Sequence, residues 1–140
     1  MSDSQTGHCL CGAVQYHYDG DPALTAICHC DDCQRQSGTS FSVNVAVPRA
    51  QFHLTAGDAA LRQFETVGTD SEKPRARNFC GTCGSPVFTV LSEMPELAFI
   101  KAGTLDDRAG LAPQLEVWCD RAQPWVDHAD RPTHPRDLQQ

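Results

Sequence analysis

The sequence has little positive charge and no long apolar run. Lys and Arg total 11 against 18 Asp and Glu, which gives a formal net charge of −7. No Lys/Arg cluster is present, so contacts with a phosphate backbone have little support. No stretch approaches the roughly 18 apolar residues of a membrane helix, and the N-terminus lacks the pattern of a signal peptide. We therefore expect a cytoplasmic protein that binds neither nucleic acid nor membranes.

Helical patterning is also scarce. Short β-like runs dominate, and in the clearest one Phe41, Val43, Val45 and Val47 alternate with polar or small residues. Gly, Pro, Asp and Asn separate these runs at intervals of about ten residues. Only residues 31–38, "DDCQRQSG", fit a short helix, with the aspartates at its start and glycine at its end. The pattern predicts a mainly β sandwich or barrel-like sheet.

The chain length fits one domain. We place the domain at residues 1–128 and expect the polar, proline-containing residues 129–140 to form a flexible tail. The polar stretch at residues 66–77, "TVGTDSEKPRAR", predicts an exposed loop.

Eight cysteines are present, and seven of them fall into three tight groups. In a reducing compartment such spacing favours metal binding over disulfides. The groups are Cys9-x-Cys11, Cys28-x-Cys30-x2-Cys33 and Cys80-x2-Cys83, and Cys119 stands alone.

Glycines directly follow the outer two groups, in "CLCG" and "CGTCG", and let the backbone turn sharply around an ion. The simplest partition is therefore one closed site of Cys9, Cys11, Cys80 and Cys83. The remaining Cys28, Cys30 and Cys33 would offer three ligands and one open position, which is the pattern of a catalytic zinc.

Two other interpretations remain open. The C-x-x-C pairs are also typical of redox dithiols. Alternatively, both sites are structural, and Cys119 or a histidine completes the second one. We expect His29 to point away from the metal, because adjacent residues rarely both reach one ion, and Cys119 to be a small buried residue.

The order of the motifs "GHCLCGAVQYHY", "CHCDDCQRQSGTSFSVNVAV", "FCGTCGSPVF", "AGTLDD" and "VWCDRAQPW" resembles the glutathione-dependent formaldehyde-activating enzyme family, also called the centromere-protein-V family. The resemblance covers residues 7–126. It implies a zinc-anchored β-sandwich of the β-tent type. It also implies a structural zinc on Cys9, Cys11, Cys80 and Cys83 and a catalytic zinc on Cys28, Cys30 and Cys33. The activity it implies is the addition of glutathione to formaldehyde, a carbon–sulfur lyase reaction giving S-hydroxymethylglutathione.

An anionic substrate such as glutathione needs local positive charge in this acidic chain. Arg35 is the basic residue nearest to the three-cysteine group, and Arg75 and Arg77 precede Cys80. We interpret these as candidate carboxylate contacts, with Ser37 lining the pocket mouth, although surface charge without a ligand is the simpler alternative.

The competing function is a non-catalytic zinc-stabilised β module that binds a protein partner or another small thiol. The sequence indicates no oligomeric state.

Overall fold

The computed structural model describes residues 4–138 and is mainly β, with ten strands and one α-helix. The strands are β1 Ser4–His8, β2 Gln15–Asp19, β3 Leu24–Cys28, β4 Ser42–Pro48, β5 Phe52–Ala56, β6 Leu61–Val67, β7 Pro74–Cys80, β8 Pro86–Leu91, β9 Met94–Lys101 and β10 Leu115–Val117. Helix α1 spans Asp31–Ser37, and 3-10 turns lie at Arg49–Gln51, Ala102–Thr104 and Cys119–Arg121.

The strands form two sheets. A three-stranded sheet has the order β1-β2-β5, and a seven-stranded sheet has the order β10-β3-β4-β9-β8-β7-β6. All pairs are antiparallel except β10 with β3, which are parallel. The prediction of a mainly β sandwich with at most one or two short helical turns is confirmed: the described residues form two sheets, one α-helix and 3-10 turns.

The hydrophobic core lies between the two sheets. Tyr16 of β2 packs there with Val45 and Val47 of β4 and Ile100 of β9, and all four are at most 1% exposed. Side chains alternate between faces along a strand, so the valines of β4 point to the core and their neighbours point to the opposite face. That opposite face of the seven-stranded sheet carries the candidate site.

Helix α1 begins and ends as its sequence predicts. The Cys30 sulfur accepts a hydrogen bond from the backbone N–H of Cys33 and so caps the first turn. Gly38 ends the helix in the left-handed conformation, with φ of 71°, and its N–H donates to the carbonyl of Gln34.

Two sequence-based expectations differ from the structure. Residues 66–77 are not an exposed loop: β6 continues to Val67, β7 starts at Pro74, and the side chains of Arg75 and Arg77 are buried. The polar composition suggested a loop, but the stretch contains the ends of two paired strands. Its charged side chains on β7 face a cavity instead of solvent.

The segment after residue 128 also differs from the predicted flexible tail. As far as residue 138 it lies beside β10 and the turn that follows. Backbone N–H groups of Glu116, Trp118 and Cys119 donate to the carbonyls of Pro132, Arg136 and His134. These are backbone contacts, so side-chain patterning does not display them. Residues 139 and 140 of the predicted tail lie outside the described residues.

Within residues 4–138 the structure has no helix with the length and apolar character that crossing a membrane requires.

Candidate functional site

The fold brings the two outer cysteine groups together. The Sγ atoms of Cys9, Cys11, Cys80 and Cys83 all lie within 4.8 Å of one another. The Cys9–Cys11 and Cys11–Cys80 sulfur distances are 3.7 and 3.8 Å. Residues 9–12 follow β1, and residues 80–84 form the turn between β7 and β8. The cluster therefore joins both sheets.

The turns around this cluster direct backbone N–H groups at sulfur. Val14 N lies 3.3 Å from Cys9 Sγ, and Thr82 N lies 3.4 Å from Cys80 Sγ. Gly84 adopts φ of 83°, a conformation that favours glycine, and closes its turn by donating to the carbonyl of Cys80. Such N–H groups stabilise thiolates.

The remaining group of three forms a separate cluster. Cys28 is the last residue of β3, Cys30 caps α1, and Cys33 is buried in the first turn of the helix. The Cys33 and Cys28 sulfurs are 3.5 Å apart, and the three sulfurs lie within 4.8 Å of one another.

Both clusters fit a tetrahedral metal ion. A zinc–sulfur bond of about 2.3 Å places two sulfurs of a tetrahedron about 3.8 Å apart. The measured distances of 3.5–3.8 Å match this value and exceed the roughly 2.05 Å of a disulfide. All eight cysteines are free thiols. Thiolate sets of this kind select zinc or other thiophilic ions. The first cluster offers four ligands and the second offers three.

The electrostatics of the clusters favour thiolates at particular positions. The hydroxyl of Ser85 and nearby backbone N–H groups lower the pKa of Cys83 to about 5. Hydrogen bonds with the Cys28 and Cys30 sulfurs, together with the charges of Lys101 and Arg77, hold the pKa of Cys33 well below its ordinary value.

The three-cysteine cluster forms part of the wall of a cavity of about 150 Å³ on the outer face of the seven-stranded sheet. Its walls are mostly apolar and include Ala26, Ala46, Leu97 and Phe99. Trp118 lies at its border, 5% exposed. An apolar wall beside a thiolate cluster can exclude water from a reacting sulfur.

Two cations lie inside this cavity without a carboxylate partner. Lys101 and Arg77 line it and are 8% and 5% exposed. Lys101 Nζ donates to Asn44 Oδ1 at 3.0 Å, and Arg77 Nη1 donates to Gln36 Oε1 at 3.4 Å. Within residues 4–138 no ion pair joins either of them to an acid. Their charges are therefore available to a ligand or to the thiolates.

Of the four residues that the sequence offered as substrate contacts, two line the cavity and two do not. Arg75 and Arg77 line the cavity, and Arg75 is paired with Glu93 at 2.6 Å. Arg35 does not line it: its side chain is 81% exposed and pairs with Asp31 at 3.1 Å. Ser37 is also outside, with its hydroxyl donating to the Cys33 carbonyl.

Sequence reasoning missed several polar residues of the cavity, among them Lys101, Asn44 and Thr89. A signal for Lys101 was present, because Leu97, Phe99 and Lys101 alternate and so share one face of β9. It also missed the partner of His29. That side chain points into the protein and hydrogen-bonds to Glu116.

A protein-family model described as glutathione-dependent formaldehyde-activating enzyme matches residues 4–121. The chain belongs to this family. The match includes all seven clustered cysteines and the strands that surround the cavity. It ends at Arg121, before the segment that lies beside β10.

The chain is similar to two fungal proteins, from Colletotrichum graminicola and Talaromyces marneffei, both with the name "Putative glutathione-dependent formaldehyde-activating enzyme". The first is 27% identical over 115 residues and the second 28% identical over 114 residues, and each alignment covers 79% of this chain. The chain spans only 57% and 58% of the length of these relatives.

A crystal structure of a Rhodobacter sphaeroides protein has the same fold. The two structures superpose with a TM-score of 0.60 at 21% identity, covering 77% of this chain and 91% of that one.

Proposed function

We propose that this protein is a zinc-dependent enzyme of carbon–sulfur lyase type, which adds the thiol of glutathione to formaldehyde in the cytoplasm. The observation that supports the proposal best is the three-thiol cluster of Cys28, Cys30 and Cys33 in the wall of an apolar cavity with buried cations. Family membership and the names of the fungal relatives support the same reaction.

The two clusters would have different roles. Cys9, Cys11, Cys80 and Cys83 offer four sulfurs and would hold a closed structural zinc. Cys28, Cys30 and Cys33 offer three, so an ion there would keep one position for a substrate. A zinc ion on three thiolates would supply Lewis acidity that favours the thiolate form of a bound thiol.

The chain's own residues would orient the reactants and stabilise charge. Lys101 and Arg77 place two positive charges in the cavity beside Cys33, and the fixed hydrogen bond to Asn44 holds the Lys101 ammonium in one position. Charge that develops on the aldehyde oxygen would be stabilised there more strongly than in water, because the walls are apolar.

The cavity size suits the reacting atoms only. A cavity of about 150 Å³ in another protein holds benzene, so the space of about 150 Å³ here accommodates about six heavy atoms. The thiol arm and a one-carbon aldehyde fit within that volume. The rest of a tripeptide would lie outside, towards the turn at residues 68–71 and helix α1.

Exchange spectroscopy by NMR tests the proposal. Glutathione and formaldehyde are mixed with zinc-loaded protein, and exchange between the free thiol and the hydroxymethyl adduct is compared with the spontaneous rate. We expect the wild type to accelerate exchange and Cys30→Ser to lose that acceleration. Cys119→Ser removes a thiol outside both clusters and should retain it. If exchange with fully zinc-loaded wild type is no faster than the spontaneous rate, the proposal is overturned and a non-catalytic binding module is favoured.

A further inference from the structure

Buried polar side chains cross the floor of the cavity in adjacent rows. Arg77 of β7 is the direct cross-strand neighbour of Thr89 of β8, and Thr89 lies opposite Phe99 of β9. Lys101 is two residues beyond Phe99 on the same face and lies opposite Asn44 of β4. Four neighbouring strands therefore direct a guanidinium, a hydroxyl, an ammonium and an amide to one face of the sheet.

Two of these groups have hydrogen-bonding atoms without a partner. Arg77 Nε and Thr89 Oγ1 are fully buried and make no hydrogen bond to any described residue. Both side chains are 5% exposed and line the cavity. Lys101 uses one N–H on Asn44, and no other hydrogen bond of its ammonium is found among residues 4–138. Leaving such donors unpaired costs about 1–3 kcal/mol for each group, so a ligand that satisfies them is expected.

Asp32, Asp70 and Asp137 also line the cavity, but among residues 4–138 no ion pair joins any of them to Arg77 or Lys101. Asp32 accepts hydrogen bonds from the backbone and hydroxyl of Thr69. Asp70 is paired with Arg121 at 2.6 Å. Arg77 and Lys101 therefore keep donors for an anion with oxygen acceptors.

We propose that the row of Arg77, Thr89 and Lys101 is a carboxylate site for the electrophile, so that the enzyme accepts small 2-oxo acids as well as uncharged aldehydes. This inference rests on the proposed function and names a substrate class for the same cavity. Arg77, Lys101 and Cys33 line the same cavity, so the bound carboxylate would lie close to the cluster where sulfur reacts. In a 2-oxo acid the carbonyl carbon is bonded directly to the carboxylate, so a carboxylate bound there would place the carbonyl carbon beside the reacting sulfur.

The reaction is an addition. The thiol sulfur forms a bond to the carbonyl carbon, the π bond of the carbonyl opens onto oxygen, and the thiol proton is transferred to that oxygen. The product from glyoxylate is a hemithioacetal that retains its carboxylate, and neither an oxidant nor a reductant is needed. Glyoxylate has five non-hydrogen atoms, two carbons and three oxygens, and fits the cavity of about 150 Å³.

The thiol could also supply the carboxylate, because glutathione has two. A two-by-two experiment separates the sources: glutathione or 2-mercaptoethanol is combined with glyoxylate or formaldehyde, and exchange is measured by NMR with Lys101→Met. If the electrophile supplies the carboxylate, Lys101→Met lowers both glyoxylate rates about 10- to 100-fold more than both formaldehyde rates, which lose only the stabilisation of the aldehyde oxygen. An equal loss in all four reactions, or a loss confined to the two glutathione reactions, would overturn the proposal.

Thr89→Val and Arg49→Met complete the set of variants. Thr89→Val keeps the side-chain shape and removes only the unpartnered hydroxyl, so it should reduce the glyoxylate rates by several-fold. Arg49→Met removes a positive charge that is exposed and does not line the cavity, and it should leave all four reactions unchanged.

Acetate binding to zinc-loaded protein, measured by calorimetry, tests the site without any reaction. We expect Lys101→Met to weaken binding of acetate at least tenfold and Arg49→Met to leave it unchanged. If no thiol and aldehyde pair is accelerated but acetate binding depends on Lys101, the proposed reaction fails and the anion site stands. If acetate binding is lost in Cys30→Ser and unaffected by Lys101→Met, acetate binds the metal and the carboxylate site is overturned.

Discussion

His29 Nε2 lies 2.6 Å from Glu116 Oε1, and both side chains are fully buried. The same carboxylate accepts hydrogen bonds from His128 Nδ1 at 2.6 Å and Arg131 Nε at 2.9 Å. His29 is the residue between Cys28 and Cys30, Glu116 is on β10, and the other two donors come from the C-terminal segment. One buried carboxylate thus connects the cysteine loop to both β10 and that segment.

Glu116→Gln should destabilise the protein by about 3 kcal/mol. The neutral glutamine amide has one oxygen acceptor and cannot replace a carboxylate that accepts three hydrogen bonds. Some of the partners in this buried charged network would therefore be left unpaired. Urea unfolding of zinc-loaded protein measures the change. Glu96→Gln is the matched control, because Glu96 is exposed and outside this network. Equal unfolding free energies for the two variants would show that the network contributes no stability.

Cys80→Ser and Cys30→Ser should have different consequences. Structural zinc contributes on the order of 10–16 kcal/mol to folding of small domains, so loss of Cys80 should abolish the cooperative unfolding transition. Cys30→Ser should retain the fold, bind one zinc instead of two, and lose activity. Circular dichroism and metal analysis of both variants check this. Unfolding of Cys30→Ser to the same extent as Cys80→Ser would refute the assignment of roles.

The Arg75–Glu93 pair should make stability depend on acid pH. Although burial acts in the opposite direction, the hydrogen bond from Arg75 lowers the pKa of Glu93. A lowered folded-state pKa gives stability that is complete above the unfolded carboxyl pKa of about 4.3 and is lost as the pH falls through the folded-state value. We expect the wild type to exceed Glu93→Gln by about 2 kcal/mol at pH 7.

That difference should shrink when unfolding is repeated at successively lower pH below about 4.3. Metal release at low pH affects both proteins, so the difference between them is the relevant quantity. A difference that is constant between pH 7 and pH 3 would contradict the assigned cause.

Gly7→Ala should weaken the contact between the sheets. A Cβ at Gly7 would overlap the Tyr16 ring and lie 2.6 Å from the Thr104 carbonyl oxygen. Tyr16 cannot move freely, because its hydroxyl is hydrogen-bonded to Thr104 Oγ1 at 2.6 Å. Overpacking of this kind costs about 1–3 kcal/mol. Gly103→Ala, where a Cβ meets no atom within 4 Å, is the control in thermal unfolding.

The cysteine groups were the most predictable part of the site, because ligands that share a metal must be close in space and short spacings bring them together. Arg35 shows the limit of closeness in sequence. It follows Cys33 by two positions, which on a helix turns the side chain to the other face, so it is exposed. Arg75 and Arg77 are farther from Cys33 in sequence, and strand pairing brings them to the cavity.

Other features depend on long-range pairing that one sequence does not display. The hydrogen bond of His29 to Glu116 joins residues 87 positions apart, and the parallel pairing of β3 with β10 creates it. The segment after residue 128 is held by backbone groups, which have no residue-specific signature. Period-two alternation predicts strands correctly, but it does not assign the outer face of a sheet to solvent or to a cavity.

The seven-stranded sheet has two unlike edges. The edge at β10 is covered by residues 132–136, whereas β6 pairs only with β7 among the described strands and leaves Phe64 and Val67 each 59% exposed. An uncovered apolar edge strand is a template for intermolecular strand addition. Aggregation in concentrated samples would therefore begin at β6, and the charges of Arg62 and Glu65 on that strand act against it.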